Sequence, residues 1–210
     1  MSHLLGELNT SQVLERISNF SLRYVNDWLD WLHVARNYDF QTGATPIQVA
    51  DEFKRILGKW QACRPKPLRS STELRCTLDS VAEPLRLLGA ANLRSFHTSG
   101  PALTQAISGL WQIFESGLCG RGRATEVGVT KAILLVTKGR IGPAFDSNVK
   151  MELNAWHVLG WKPYLGALTD LADDLAIFEA RESAKLEELA TRAGRPAEVG
   201  RVMDMVLGPR

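Results

Sequence analysis

Apolar residues recur every three or four positions along almost the whole chain, the spacing that turns one face of an α-helix toward a core. Val13, Leu14, Ile17 and Phe20 form one such stripe, and Leu22, Val25, Trp28, Leu29 and Leu32 form a second. Thr45-Pro46 reads as an N-cap followed by a first-turn proline. It stands ahead of a face made by Ile47, Ala50, Phe53, Ile56, Leu57 and Trp60. Ser70 and Glu73 have capping-box spacing before Leu74, Leu78, Val81, Leu85 and Leu88, and Pro84 inside that pattern should kink or split it. After Ser99-Gly100-Pro101 the period continues through Leu103, Ile107, Leu110, Trp111 and Phe114, and 117–122 breaks it again. Helical signal returns over about 125–138 and 146–159, then in a longer run from Tyr164 to Phe178 and a closing segment over 196–207. Strand-like alternation is not sustained anywhere. The pattern predicts an all-α protein, residues 1–210 forming a single domain without internal repeats or a low-complexity linker.

Composition changes this picture little. Apolar residues are 45% of the chain and charged residues 23%, ordinary values for a globular domain. The longest apolar block, 132–136, is too short to cross a bilayer, and the first residues lack the basic start and apolar core of a signal peptide. Cys63, Cys76 and Cys119 are odd in number and without CxxC spacing, so an in-chain zinc or iron–sulfur site is not expected. Free thiols fit a soluble, cytoplasmic protein with no membrane association.

The formal net charge is only +2, but its distribution is uneven. From Lys54 to Arg69 there are six basic residues and no acid, and from Arg121 to Arg140 five against the single Glu126. Residues 170–188 invert this, with seven acids against Arg181 and Lys185. A near-neutral chain can carry a basic face and an acidic one.

The stretch 139-GRIGPAFDSNV-149 carries the candidate chemistry. It places a Gly/Pro-rich turn ahead of an Asp that opens the next helix. A helix over 130–138 climbs about 12–13 Å at 1.5 Å per residue, and the return from Gly139 to Asp146 spans up to roughly 23 Å. Asp146 can therefore come back beside Lys131, on the first turn. A carboxylate at a helix start is stabilised by free backbone N–H groups. A lysine set among Val129, Ala132, Ile133 and Leu135 is partly desolvated, which favours the neutral amine. Such an amine can form a Schiff base, and a fixed carboxylate can accept a proton or steady a developing sugar cation. These are the two parts needed to cleave an N-glycosidic bond and open the sugar. The plainer alternative stays open: a solvent-reaching lysine and an N-cap.

Residues from about 125 to 153 resemble the signature of the helix-hairpin-helix DNA glycosylases, a superfamily with a Gly/Pro-rich loop and an essential Asp. Thr130-Lys131 matches the Thr-Lys pair of its 8-oxoguanine glycosylase branch, Gly142-Pro143 the loop, and Asp146-Ser147-Asn148-Val149 the segment after it. The resemblance implies a two-lobed helical fold, base-excision repair of damaged duplex DNA, Lys131 as the amine nucleophile and Asp146 as the catalytic carboxylate, with no cofactor or metal. It also implies DNA contact at Gly128, Thr130 and Asn148. Arg121, Arg123, Lys138 and Arg140 flank the hairpin and are the first candidates for phosphate contact. The sequence departs from the family in three ways. Residues 125-TEVGVTK-131 offer one glycine and no proline, Asn148 stands where His is common, and the Lys-to-Asp interval is a few residues short.

A glycosylase needs a pocket for the flipped base, and Trp60, Phe145, Trp156 and Trp161 are available to line one. Gly117 to Gly122 lacks the Gly-Lys-Ser/Thr of a phosphate-binding loop, and His3, His33, His97 and His157 lack metal spacing. Asp170, Asp173 and Asp174 read as a solvated helix face. Besides repair, two functions remain: a helical DNA-binding module of the same fold without turnover, and a helical protein-interaction domain.

Overall fold

The computed structural model describes residues 4–98 and 100–208, so His3 and Ser99 lie outside the described residues. Within them the chain forms α1 (Leu4–Glu7), α2 (Thr10–Arg23), α3 (Val25–Asn37), α4 (Ile47–Lys59), α5 (Ser71–Ser80), α6 (Ala82–Leu88), α7 (Pro101–Gly117) and α8 (Glu126–Val136). After these come α9 (Ser147–Leu153), α10 (Trp161–Glu182), α11 (Leu186–Arg192) and α12 (Val199–Leu207), with one 3₁₀ helix at Leu93–Thr98. No strand occurs among the described residues, only an isolated antiparallel bridge between Leu68 and Cys119. The protein is all-α. No helix among the described residues is long and apolar enough to cross a membrane.

Local chemistry explains most boundaries. The Ser70–Glu73 capping box forms: Ser70 Oγ accepts from the Glu73 N–H at 3.3 Å, and Glu73 Oε2 accepts from the Ser70 N–H at 3.0 Å. Pro84 falls in the first turn of α6, where its missing N–H costs no bond, so the predicted long helix divides at Val81. The start of α4 shifts by one: Pro46 itself occupies the cap position, and the Thr45 N–H donates to Asp79 Oδ1 at 2.6 Å. The helix predicted over 146–159 is shorter, because Asn154 turns left-handed at φ 50° and ends α9 at Leu153.

Buried apolar side chains form one connected core. At its centre lies α8, which touches α3, α4 and α7, while α12 closes the molecule against α2, α9 and α11. Val129, Ile133, Leu134 and Leu135 of α8 are fully buried, and each contributes roughly 1.5–3 kcal/mol. A helix this apolar on every side belongs in an interior.

Candidate active site

From Gly128 to Val136 every residue of α8 is buried except Lys131. Thr125 caps the helix, accepting from the Gly128 N–H at 3.4 Å. Lys131 projects from this hydrocarbon rod toward the end of α4, where its Nζ donates to the Trp60 carbonyl at 2.7 Å.

The chain then turns sharply. Lys138 and Gly139 both take positive φ, 56° and 81°, and the loop that follows lies flat between α8 and α12. A Cβ at Gly142 would stand 2.6 Å from Leu134 Cδ1 and 3.0 Å from the Gly200 carbonyl oxygen, so only glycine allows this approach. Two side chains then fix the loop's exit. Thr130 Oγ1, itself donating to the Glu126 carbonyl, accepts from the Phe145 N–H at 2.9 Å. Asp204 Oδ1 accepts from the Ala144 N–H at 3.0 Å.

Asp146 emerges from this clamp as the N-cap of α9. Its Oδ1 accepts from the N–H groups of Asn148 and Val149 at 3.0 and 3.2 Å. Its Oδ2 faces Lys131 Nζ at 3.9 Å. One oxygen therefore holds the helix while the other faces the amine. At that distance the gross attraction is about 4 kcal/mol at an effective dielectric near 20, and desolvation offsets much of it. A substrate can separate such a pair.

Both side chains line a cavity of about 220 Å³ whose walls include Phe20, Tyr24, Asp27, Lys59, Trp60, Gln61, Asn148, Arg201 and Asp204. Its floor is the pair Arg201–Asp204, with Arg201 Nη1 2.5 Å from Asp204 Oδ2. The Arg201 guanidinium carbon lies 5.1, 5.7 and 5.6 Å from the ring centroids of Phe20, Trp31 and Trp60. Its Nε and Nη2 have no hydrogen-bond partner among the described residues, and the three rings supply cation–π attraction in compensation. Burial pushes the Asp204 carboxyl above its usual range, against the pull of Arg201 and with the push of the Asp146 charge. Burial likewise lowers the Arg201 guanidinium from its usual value.

The structure thus brings Lys131, Asp146 and Asn148 together at one cavity, and Trp60 of the four aromatic candidates joins them. Phe145 is fully buried against Tyr164, Trp161 lies beneath Lys162, and Trp156 stands exposed outside the cavity. The other predicted DNA contacts divide. Arg121 and Arg123 are exposed on the α7–α8 turn. Gly128 is sealed: a Cβ there would meet the Ala62 carbonyl oxygen at 2.5 Å, so its backbone faces protein rather than a phosphate. Thr130 is fully buried and spends its hydroxyl on the loop. Arg140 Nη1 is tied to the carbonyls of Gly89 and Ala91, with burial lowering the guanidinium's pKa. Lys138 borders a separate depression with Trp31 and Glu198. For Gly128, Thr130 and Arg140 the expected phosphate contact is therefore corrected to internal packing and hydrogen bonding.

Sequence reasoning missed the Trp60 carbonyl, Gln61, Tyr24, Arg201 and Asp204. Only the last pair left a signal, as two opposite charges three apart inside the otherwise apolar run VGRVMDMVL. Searches against protein-family models, curated proteins and solved structures return no match to this chain.

Proposed function

We propose that this chain is a DNA-repair glycosylase with Schiff-base lyase activity, acting on a damaged base flipped out of duplex DNA. The supporting observation is the convergence of the Lys131 amine and the free Asp146 oxygen, 3.9 Å apart, on one cavity. At about 220 Å³ that cavity exceeds the ~150 Å³ known to hold a benzene ring, leaving room for a single base. Asp146 Oδ2 takes a proton from the Lys131 ammonium. The freed lone pair attacks the anomeric carbon as the N-glycosidic bond breaks and its electrons leave with the base. Asp146 passes that proton to the departing base, and the carboxylate so restored steadies the cationic sugar. The C1′–O4′ bond then breaks as a proton moves from the lysine nitrogen to O4′, giving a protonated imine, and loss of a C2′ proton expels the 3′ phosphate and cuts the strand.

Borohydride trapping on duplexes carrying 8-oxoguanine, uracil, alkylated or abasic sites tests this reading. A covalent adduct that disappears in Lys131→Ala is the expected result. No adduct and no base release on any of them would sink it.

One contact favours a second reading, a DNA-binding module of this shape without turnover. Lys131 Nζ already donates to the Trp60 carbonyl, a bond that must break before the amine can attack. This reading expects salt-sensitive DNA binding that survives Lys131→Ala and Asp146→Ala, and no turnover by the parent.

A further inference from the structure

Two basic stretches that lie far apart in the sequence meet beside the cavity. The Arg69 N–H donates to the Leu118 carbonyl at 2.9 Å and the Gly120 N–H to the Pro67 carbonyl at 3.0 Å, flanking the Leu68–Cys119 bridge. Lys66 Nζ donates to the Arg123 carbonyl at 2.7 Å, and Gly122, at φ 66°, passes close to the same lysine. This junction leaves Arg64, Lys66, Arg121 and Arg123 exposed along one edge.

Three other cations of the first stretch are paired, while Lys54, half-buried on α4, has no ion pair among the described residues. Arg55 is paired with Asp30 and Glu52, Lys59 with Asp27 and Asp30, and Arg69 with Glu73. Among the described residues, the exposed four share one acidic contact, Glu115 at 3.6 Å from Arg123, whose side chain is 81% exposed. A charge already matched by a carboxylate attracts a phosphate weakly; an unmatched one releases a counterion when it meets one. The two segments carry no exposed large apolar side chain. A protein partner would want an apolar patch centre, whereas a nucleic-acid surface is polar and positively charged.

Placement agrees with charge. Gln61, on the cavity wall, precedes Arg64 by three residues, and Ala62 sits on Gly128 while its carbonyl accepts from Thr125 Oγ1 at 3.5 Å. The loop therefore occupies the ground where a hairpin glycine would have met a phosphate. We propose that the edge formed by Arg64, Lys66, Arg121 and Arg123 grips the phosphate backbone of duplex DNA beside the cavity, in place of the sealed Gly128. This assignment rests on the repair reading above.

The test is the salt dependence of binding to a duplex with a central abasic-site analogue. Each phosphate contact contributes a log–log slope of about −0.9. Replacing all four cations by serine should make the slope shallower by about 3–4, with Arg86→Ser, a cation already paired with Glu83, as an unchanged control. Single-turnover rate at saturating protein should stay within about two-fold, because none of the four touches the cavity. If four substitutions lower the melting temperature, Arg121→Ser with Arg123→Ser still predicts a change of about 2. A parent that fails to bind duplex at low salt overturns the repair reading and this surface with it. A parent that binds, with variants of identical slope and affinity, overturns the surface alone and leaves the edge to an acidic protein partner.

Discussion

Lys131 and Asp146 stand 3.9 Å apart with side chains 15% and 24% exposed, whereas Arg201 and Asp204 are 2.5 Å apart and only 3% and 13% exposed. The same short loop runs between the two pairs, and both border the same cavity. In the deeper pair every interaction faces inward: rings around the guanidinium, a backbone N–H on the carboxylate. In the upper pair both side chains line the cavity, and one oxygen of Asp146 accepts no hydrogen bond among the described residues. On the repair reading, the buried pair is scaffold and the half-buried pair reagent. Which is which follows from what each leaves free, not from how tightly it is paired.

The largest expected effect breaks the upper pair. Asp146→Asn keeps a cap for α9 but removes the proton acceptor, and should lower the trapping rate by about 10²–10⁴ while the melting temperature moves little. A rate unchanged by this substitution would show that the carboxylate is cap alone. Next comes the deeper pair. Asp204→Ala leaves Arg201 buried and unpaired, a loss of about 3–5 kcal/mol, or roughly 6–20 °C in Tm for a chain of this length. Arg201→Met with Asp204→Leu should recover part of that in thermal melts. Full recovery would mean that the Asp204 bond to the Ala144 N–H contributes nothing.

A smaller effect separates clamp from chemistry. Thr130→Val leaves the Phe145 N–H unsatisfied and should cost about 1–3 kcal/mol, measurable by urea denaturation, and slow trapping through displacement of Asp146.

The smallest effect is titration. The Lys150 ammonium holds the Glu126 carboxyl below its usual value despite burial, and Arg94 does the same for Glu187. Both ionise more readily folded than unfolded. Their stabilisation is therefore complete above the unfolded value, near 4.5, and is lost as pH falls through the lower folded values. Tm should decline below about pH 4.5, and Glu126→Gln should flatten that decline.

Much of the helical order was legible, because a period of three to four and the caps at Ser70 and Asp146 are local signals. The approach of Lys131 to Asp146 was readable as a possibility, since chain length permits it. What fixes it was not. Gly142 reads as a turn glycine, but its role is to let α12 come within van der Waals reach of the loop, a contact with Gly200 almost sixty residues away. Gly128 reads as the hairpin's one phosphate contact, yet the 61–67 segment covers it. No local pattern announces which surface a distant loop will occupy.

Burial of α8 on every side from Gly128 to Val136, broken only at Lys131, fixes more than that lysine's neighbours. Inserting or deleting a single residue at the start of the helix would rotate everything beyond it by about 100°, plunging the ammonium into hydrocarbon and turning a leucine or valine to the water. The length of this rod is locked to the position of its one amine.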